Sequence, residues 1–232
     1  MILVKLLLAH LIGDFFLQPR SWVENKIKKT WMSPALYTHV LIHILLIFLL
    51  FGGMGVWIPA LVIGLSHYLI DGLKVSFQTD DNQSFLFGVD QFLHVAVLIY
   101  VWIYFWDVTP TIVQPDYFLA LLTGALFLTM PSSVIMQKAM SRWSDEIDEE
   151  SSTSLQGAGK YIGMLERLLI YVAILGGSLQ VIGFLLAAKS VFRFGDLTRT
   201  KDRKLTEYIL IGTLLSFLLA IITGLLTTQL LR

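Results

Sequence analysis

The chain has 232 residues, of which 56% are hydrophobic and only 15% charged, and its mean hydropathy is +0.72. Its 17 Lys and Arg balance 17 Asp and Glu, so no basic excess points to nucleic acid, and the lack of cysteine excludes disulfides and thiolate metal sites. A soluble domain has about a quarter of its residues charged. The composition therefore predicts an all-α, polytopic transmembrane helical bundle with no soluble domain.

Stretches of about 20 mainly apolar residues predict spanning helices. The clear candidates, in chain order, are residues 2–18, 34–51, 56–77, 85–106, 117–138 and 206–230. A polar, basic stretch at 20–33 connects the first two, and an acidic stretch at 145–150 follows the fifth.

The hydrophobic block at 161–194 is either one long span or a hairpin that turns at Gly176 and Gly177. Cytoplasmic loops are enriched in Lys and Arg, which places the stretch at 19–33, with four basic residues, in the cytoplasm. The loop at 107–116, with none, then lies outside. Only a hairpin puts the six basic residues between 189 and 204 inside. We therefore expect seven or eight membrane segments, with eight favoured and both termini outside.

All five histidines lie in the first four predicted spans, and three of them are spaced four residues from an aspartate. The runs read HLIGD at 10–14, HYLID at 67–71 and DQFLH at 90–94. Positions i and i+4 share one face of a helix, so each pair can bind one ion, or one member can orient the other. Because these pairs are confined to the first four spans, we expect two parts of the chain. They are a four-helix His/Asp bundle at 1–107 and a C-terminal set of helices at 108–232.

The predicted depths of these pairs in the membrane agree. The order Asp before His in the fourth span, reversed from the first and third, is what an oppositely directed helix needs to bring all aspartates to one level. Ionisable groups in a membrane are costly and usually functional. We expect a divalent-metal site, with zinc as the first choice and manganese or iron as alternatives. The predicted ligands are His10, Asp14, His39, His67, Asp71, Asp90 and His94.

His43 is left open between a ligand and an interhelical hydrogen-bond partner. Seven ligands exceed the four of a closed structural zinc site, which favours two metals, or one metal with catalytic neighbours. Asp90 and His94 are the predicted catalytic pair, able to position an attacking water. Lys74, Gln18 and Gln91 are predicted to contact substrate, although a charge that snorkels to the interface is the better interpretation of Lys74 taken alone.

The runs HLIGDFFLQ, HYLIDGLK and DQFLH, between residues 5 and 100, resemble a family of uncharacterised bacterial inner-membrane proteins of unknown function. This resemblance implies a multi-pass protein of the bacterial inner (cytoplasmic) membrane and no activity. The His/Asp arrangement is similar, more loosely, to membrane-bound metal-dependent hydrolases. Two H-x-x-x-D helices also resemble the transport site of cation-diffusion-facilitator zinc transporters, which have six spans and a cytoplasmic domain.

Three functions follow as hypotheses. The first is a metal-dependent hydrolase acting on a lipid or another membrane-embedded molecule, favoured because the outer halves of the first four spans are almost entirely apolar. The second is a divalent-metal or proton-coupled transporter using His10, Asp14, His67 and Asp71. The third is a metal-stapled membrane scaffold. In the last span, small residues at every fourth position predict a helix-packing stripe, either internal or in a homo-oligomer. These are Gly212, Ser216, Ala220 and Gly224.

Overall fold

The computed structural model describes residues 1–106, 116–144, 157–194 and 203–231, and these residues form helices and no strand. The all-α prediction is confirmed. The acidic stretch at 145–150 and the loop at 107–115 lie outside the described residues, as do Arg199 and Lys201. The helices are α1 Ile2–Leu11, α2 Arg20–Lys29, α3 Pro34–Phe51, α4 Trp57–Phe77, α5 Gln83–Phe105, α6 Tyr117–Phe127, α7 Met130–Ser144, α8 Ala158–Leu175, α9 Gln180–Phe194 and α10 Arg203–Leu230.

Within the described residues, five helical stretches are long and apolar enough to cross a membrane, so the chain has the helices of a membrane protein. They comprise α3, α4, α5, the pair α6 and α7, and α10. A sixth is added if the bent pair of Ile2–Phe16 and Arg20–Met32 counts as one span. The total of eight membrane segments stays a prediction.

The polar stretch after the first span is a helix, not the simple connection that its composition predicted. α1 continues through a π-helical turn, Ile12–Phe16, and the chain then bends by 85° into α2. Pro19 precedes α2 in an extended conformation, with no N–H to continue the earlier helix. α2 packs against α3 and α4, which buries the side chain of Lys26.

Residues Met1–Leu119 form one compact unit in which α1, α3, α4 and α5 make a four-helix bundle. Ser33 caps α3 by accepting a hydrogen bond from the Leu36 N–H, and Gly52 ends that helix at a φ of +71°. One half of the bundle has a purely apolar core. Its buried members are Leu6, Ala9, Ile47, Ala60, Ile63, Leu98 and Val101.

Residues Ala120–Arg232 form a second unit, in which α10 packs against α8 and α7. The predicted small-residue stripe of α10 faces these helices: a Cβ on Gly224 would lie 2.8 Å from Ile174 Cδ1, and Ser216 accepts a hydrogen bond from Arg167. Internal packing thus accounts for the stripe within this unit, and self-association of the chain stays a prediction.

The block at 161–194 is broken into α8 and α9 at the predicted glycines, where Gly177 has a φ of +69°. The two helices run back along each other, since Lys189 of α9 pairs with Glu166 of α8 at 2.7 Å. That both helices cross a membrane remains a prediction, as does the division of the chain at residue 107.

Candidate metal centre

The four helices of the first bundle bring all the predicted ligands together. α1 and its π turn supply His10 and Asp14, α3 supplies both of its histidines, and α4 and α5 supply the other two pairs. Asp14 is partly buried, and the remaining seven side chains are buried. These are His10, His39, His43, His67, Asp71, Asp90 and His94.

The first ligand group is His10, Asp14, His43 and His67, which offer one ligand atom each within 4.8 Å of one another. His10 Nδ1 lies 3.3 Å from His67 Nε2, and His43 Nε2 lies 3.0 Å from Asp14 Oδ1. Bonds of about 2.0–2.1 Å in a tetrahedral zinc site put neighbouring ligand atoms roughly 3.3 Å apart. The spacing of these side chains therefore suits a small divalent ion.

Hydrogen bonds to Gln91 determine which nitrogen of His10 carries the proton. The Gln91 amide nitrogen donates to Asp14 Oδ2 at 3.0 Å and lies 3.2 Å from Asp90 Oδ2, so its orientation is set by two carboxylates. The amide oxygen then faces His10 Nε2 at 3.3 Å and accepts a hydrogen bond from the Nε2–H. In a neutral imidazole only one nitrogen carries hydrogen, so His10 Nδ1 presents a lone pair.

His67 is oriented in the same way, by the backbone. Its Nδ1–H donates to the Ile63 carbonyl at 2.9 Å, which leaves Nε2 with a lone pair. Two lone pairs, on His10 Nδ1 and His67 Nε2, thus face each other across 3.3 Å. Such a contact is favourable only if a cation, either a metal ion or a proton, lies between the two nitrogens.

The second ligand group is Asp71, Asp90 and His94. His94 Nε2 lies 3.5 Å from Asp71 Oδ1 and 3.5 Å from Asp90 Oδ1. Asp90 Oδ1 and both ring nitrogens of His94 are buried without a hydrogen-bond partner among the described residues. Buried polar atoms are rarely left unpaired, and a second cation bound between these groups would satisfy them.

Two lysines hold the outer oxygens of the second group. Lys26 Nζ lies 2.5 Å from Asp71 Oδ2, and Lys74 Nζ lies 2.9 Å from Asp90 Oδ2. No motif in the sequence singles out Lys26, because this residue stands among other lysines in a polar stretch. Its spacing of four from Trp22 is the one signal that both side chains share an inward face of α2.

His39 lies between the two groups and belongs to neither. Its Nε2 is 3.3 Å from Asp14 Oδ1 and 3.5 Å from Asp71 Oδ2, while the Gln18 amide nitrogen is 3.2 Å from its Nδ1. With Gln18 donating to Nδ1, the proton of a neutral His39 is on Nε2, which lies near both carboxylates but makes no hydrogen bond among the described residues. His39 thus lies close to both groups, and its predicted role as a ligand stays a prediction. His43, which the sequence left open, belongs to the first group.

Close packing at Gly13 brings the π turn against His43. A Cβ at Gly13 would lie 2.5 Å from His43 Nε2, so only glycine fits there without moving the ring. π turns inside α-helices often occur at functional sites, because they re-aim the side chains that they carry. Here the turn contains Asp14.

The predicted substrate residues are placed differently from one another. Gln91 lies inside the cluster and connects ligand side chains, so a direct role in substrate binding stays a prediction that these contacts do not favour. Gln18 and Lys74 are partly exposed at the edge of the cluster. Contact of these two side chains with a substrate stays a prediction.

Comparison with known proteins gives a family for this region and no activity. A family model described as "Protein of unknown function (DUF3307)" matches residues 2–120, which are 119 of the 232 residues and contain every side chain of the site. Neither a curated protein nor a solved structure matches the chain. The looser similarity to membrane hydrolases therefore has no support from relatives.

Proposed function

The chain belongs to the DUF3307 family, and we propose that it is a metal-dependent hydrolase of the bacterial inner membrane acting on a lipid or another membrane-embedded molecule. The observation that carries the proposal is the pair of facing lone pairs on His10 Nδ1 and His67 Nε2, which calls for a cation inside the bundle. The unpaired atoms of Asp90 and His94 beside it supply further ligands or a base.

The donor set suits zinc first and manganese or iron next, because the two ligand groups offer histidine nitrogens and carboxylate oxygens. A divalent ion in the first group would supply an activated water and polarise a phosphoryl or acyl oxygen. His94, between two carboxylates, is the group best placed to hold a proton during hydrolysis.

The charges of the cluster favour an anionic or polar ester as substrate. Three carboxylates, on Asp14, Asp71 and Asp90, stand against the two ammonium groups of Lys26 and Lys74. One divalent ion turns this net charge of −1 into +1, and a second ion would raise it further. A phosphate or carboxylate ester would be attracted to such a site.

The apolar core favours an enzyme over a transporter. Along α3 the chain passes from His39 and His43 to buried Ile47, and along α5 from Asp90 and His94 to buried Leu98 and Val101. Ions therefore meet tightly packed hydrocarbon on one side of the site. The basic helix α2 lies on the other side, which the positive-inside rule assigns to the cytoplasm.

A proton-coupled or divalent-metal transporter is the second candidate, supported by one observation. The cation between His10 and His67 can equally be a proton, since an imidazolium Nδ1–H would donate to the partner lone pair. A metal-stapled scaffold would need only the four ligands of the first group. The unpaired atoms of His94 and Asp90 in the second group therefore argue against the scaffold hypothesis.

Metal content tests the first step of the proposal. The protein, purified without chelator from zinc-supplemented cells, should carry at least one equivalent of a divalent metal by inductively coupled plasma mass spectrometry. The double variant His67→Ala, Asp71→Ala should lose it, whereas the exposed control Asp81→Ala should not. A wild-type protein with no bound metal would contradict the proposed metal centre. The cation between His10 and His67 would then be a proton.

Vesicle experiments separate hydrolase from transporter. Asp90 and His94 have no counterpart in a two-helix H-x-x-x-D transport site, so a transporter should tolerate Asp90→Asn, a change that keeps size and removes charge. We expect reconstituted wild-type protein to move neither zinc nor manganese down a gradient. If it does, and Asp90→Asn moves them equally well, the hydrolase proposal is wrong.

A further inference from the structure

A cleft of about 620 Å³ lies within the unit formed by Ala120–Arg232, between α7, α8, α9 and α10. Its wall includes Arg167 of α8, whose residue surface is only 3% exposed. The cleft shares no residue with the metal centre and lies outside the part of the chain that matches the family model.

Arg167 is held entirely by uncharged oxygens. Its Nε donates to the Leu128 carbonyl at 2.8 Å, its Nη2 to Ser133 Oγ at 2.7 Å, and its Nη1 to Ser216 Oγ at 3.1 Å. Among the described residues no carboxylate lies within ion-pair distance of it. These bonds leave one hydrogen of Nη1 unused and pair the buried charge with no carboxylate, which is costly in a low-dielectric setting.

The neighbouring carboxylate is already engaged. Glu166, which also lines the cleft, pairs with Lys189 at 2.7 Å. Lys160 adds another cation to the lining. Three cationic side chains thus face one carboxylate among the described lining residues, which gives the cleft an excess of two positive charges.

Gly163, one turn before Arg167, keeps the guanidinium accessible from the cleft. A Cβ on this glycine would lie 3.3 Å from Arg167 Nη1, so a larger side chain would cover that nitrogen. Nη1 carries two hydrogens, and only one is used by Ser216. The remaining wall is largely apolar, with Val134, Met140 and Ile209 among its residues.

We propose that this cleft binds a phosphate group, with Arg167 and Lys160 supplying the charge. Guanidinium and ammonium groups with serine hydroxyls nearby are the usual partners of phosphate, and the apolar wall can receive aliphatic chains. The phosphate has two sources, free inorganic phosphate or the head group of an anionic lipid. A phosphate bound there compensates the charge of Arg167.

Native mass spectrometry of the delipidated full chain in detergent tests the proposal. The three probes are inorganic phosphate, phosphatidic acid, and phosphatidylcholine with the same acyl chains. We expect phosphatidic acid to bind in a 1:1 complex at least tenfold more tightly than phosphatidylcholine. If inorganic phosphate also binds, the cleft recognises the phosphate group alone. If inorganic phosphate does not bind, the source of the phosphate is the lipid head group. Equal binding of both lipids, without inorganic phosphate, would overturn the proposal.

Variants locate the binding. Gly163→Leu should weaken phosphatidic acid binding more than tenfold, because its side chain covers Nη1 and displaces the guanidinium slightly. Lys160→Gln should weaken this binding about fivefold, as expected for a partly solvated ion pair. Lys29→Gln, the same charge change at an exposed position of α2, should leave the binding unchanged. Arg167→Gln should also weaken phosphatidic acid binding, in a variant that circular dichroism shows to be folded. Wild-type affinity in both Gly163→Leu and Lys160→Gln would overturn the proposal.

Discussion

Gln91 makes three hydrogen-bond contacts that decide which nitrogen of His10 is free to bind a cation. Its amide nitrogen faces two carboxylates and its oxygen faces His10 Nε2. A side chain in such a position orients the ligands without binding the metal. Losses of partners of this kind typically reduce metal affinity by about 10–100-fold.

The first prediction concerns this residue. Gln91→Leu keeps the approximate size and removes the amide, so both ring nitrogens of His10 become free to carry the proton. We expect zinc affinity, measured by competition with a chromogenic chelator, to fall by about 10–100-fold. Gln180→Leu, at an exposed position of α9, is the matched control and should leave affinity unchanged. An unchanged affinity in Gln91→Leu would show that His10 is not a ligand through Nδ1.

The spacing of four residues within three spans was enough to predict six of the clustered side chains, because a helix repeats every 3.6 residues. Two contacts were not predictable in this way. His43 meets Asp14 only because Gly13 lets a π turn approach α3, and no periodicity encodes that turn. Lys26 reaches Asp71 only because the chain bends sharply before α2.

At the scale of elements, hydropathy located the apolar helices well, because spanning segments need a fixed length of apolar residues. Hydropathy did not identify α2 as a helix, because a mainly polar helix with one buried face has the composition of a connecting loop. It also left α8 and α9 undecided. The structure breaks this block at Gly176 and Gly177, where a positive φ at the second glycine turns the chain.

The second prediction concerns membrane topology. The chain has no cysteine, so a single introduced cysteine reports without background. A cysteine at Thr198, which lies outside the described residues, should resist a membrane-impermeant thiol reagent in intact cells, because a hairpin at 161–194 places it in the cytoplasm. A cysteine at Thr111 should be labelled. Labelling of Thr198→Cys from outside would show that the block crosses once.

At the scale of the whole molecule, the chain divides into two compact units with different chemistry. The unit Met1–Leu119 contains both ligand groups of the candidate metal centre, and most of this unit is covered by the family match. The unit Ala120–Arg232 contains the cationic cleft around Arg167. Composition alone does not predict a division, because both halves are similarly apolar. The placement of the His/Asp pairs is what predicted two parts, with the boundary at residue 107.

The last prediction follows from this placement of the ligands. An ion that binds only the folded state stabilises it by about 2.7 kcal/mol when its free concentration is 100 times its Kd. Amide exchange that requires opening of the site should then slow by about 100-fold. We expect zinc to slow hydrogen exchange in α1, α3, α4 and α5, which carry the ligands, and to leave α8 and α10 unchanged.

Hydrogen–deuterium exchange mass spectrometry of the full chain in detergent, with zinc and with chelator, makes the measurement. The variant His67→Ala, Asp71→Ala is the control, because it should show no zinc-dependent protection anywhere. Amide exchange through local opening is measured separately for each segment. Protection in α8 and α10 of the same size as in α4 would therefore contradict the placement of the metal. Protection confined to the four ligand-bearing helices would tie the ion to the buried His/Asp cluster.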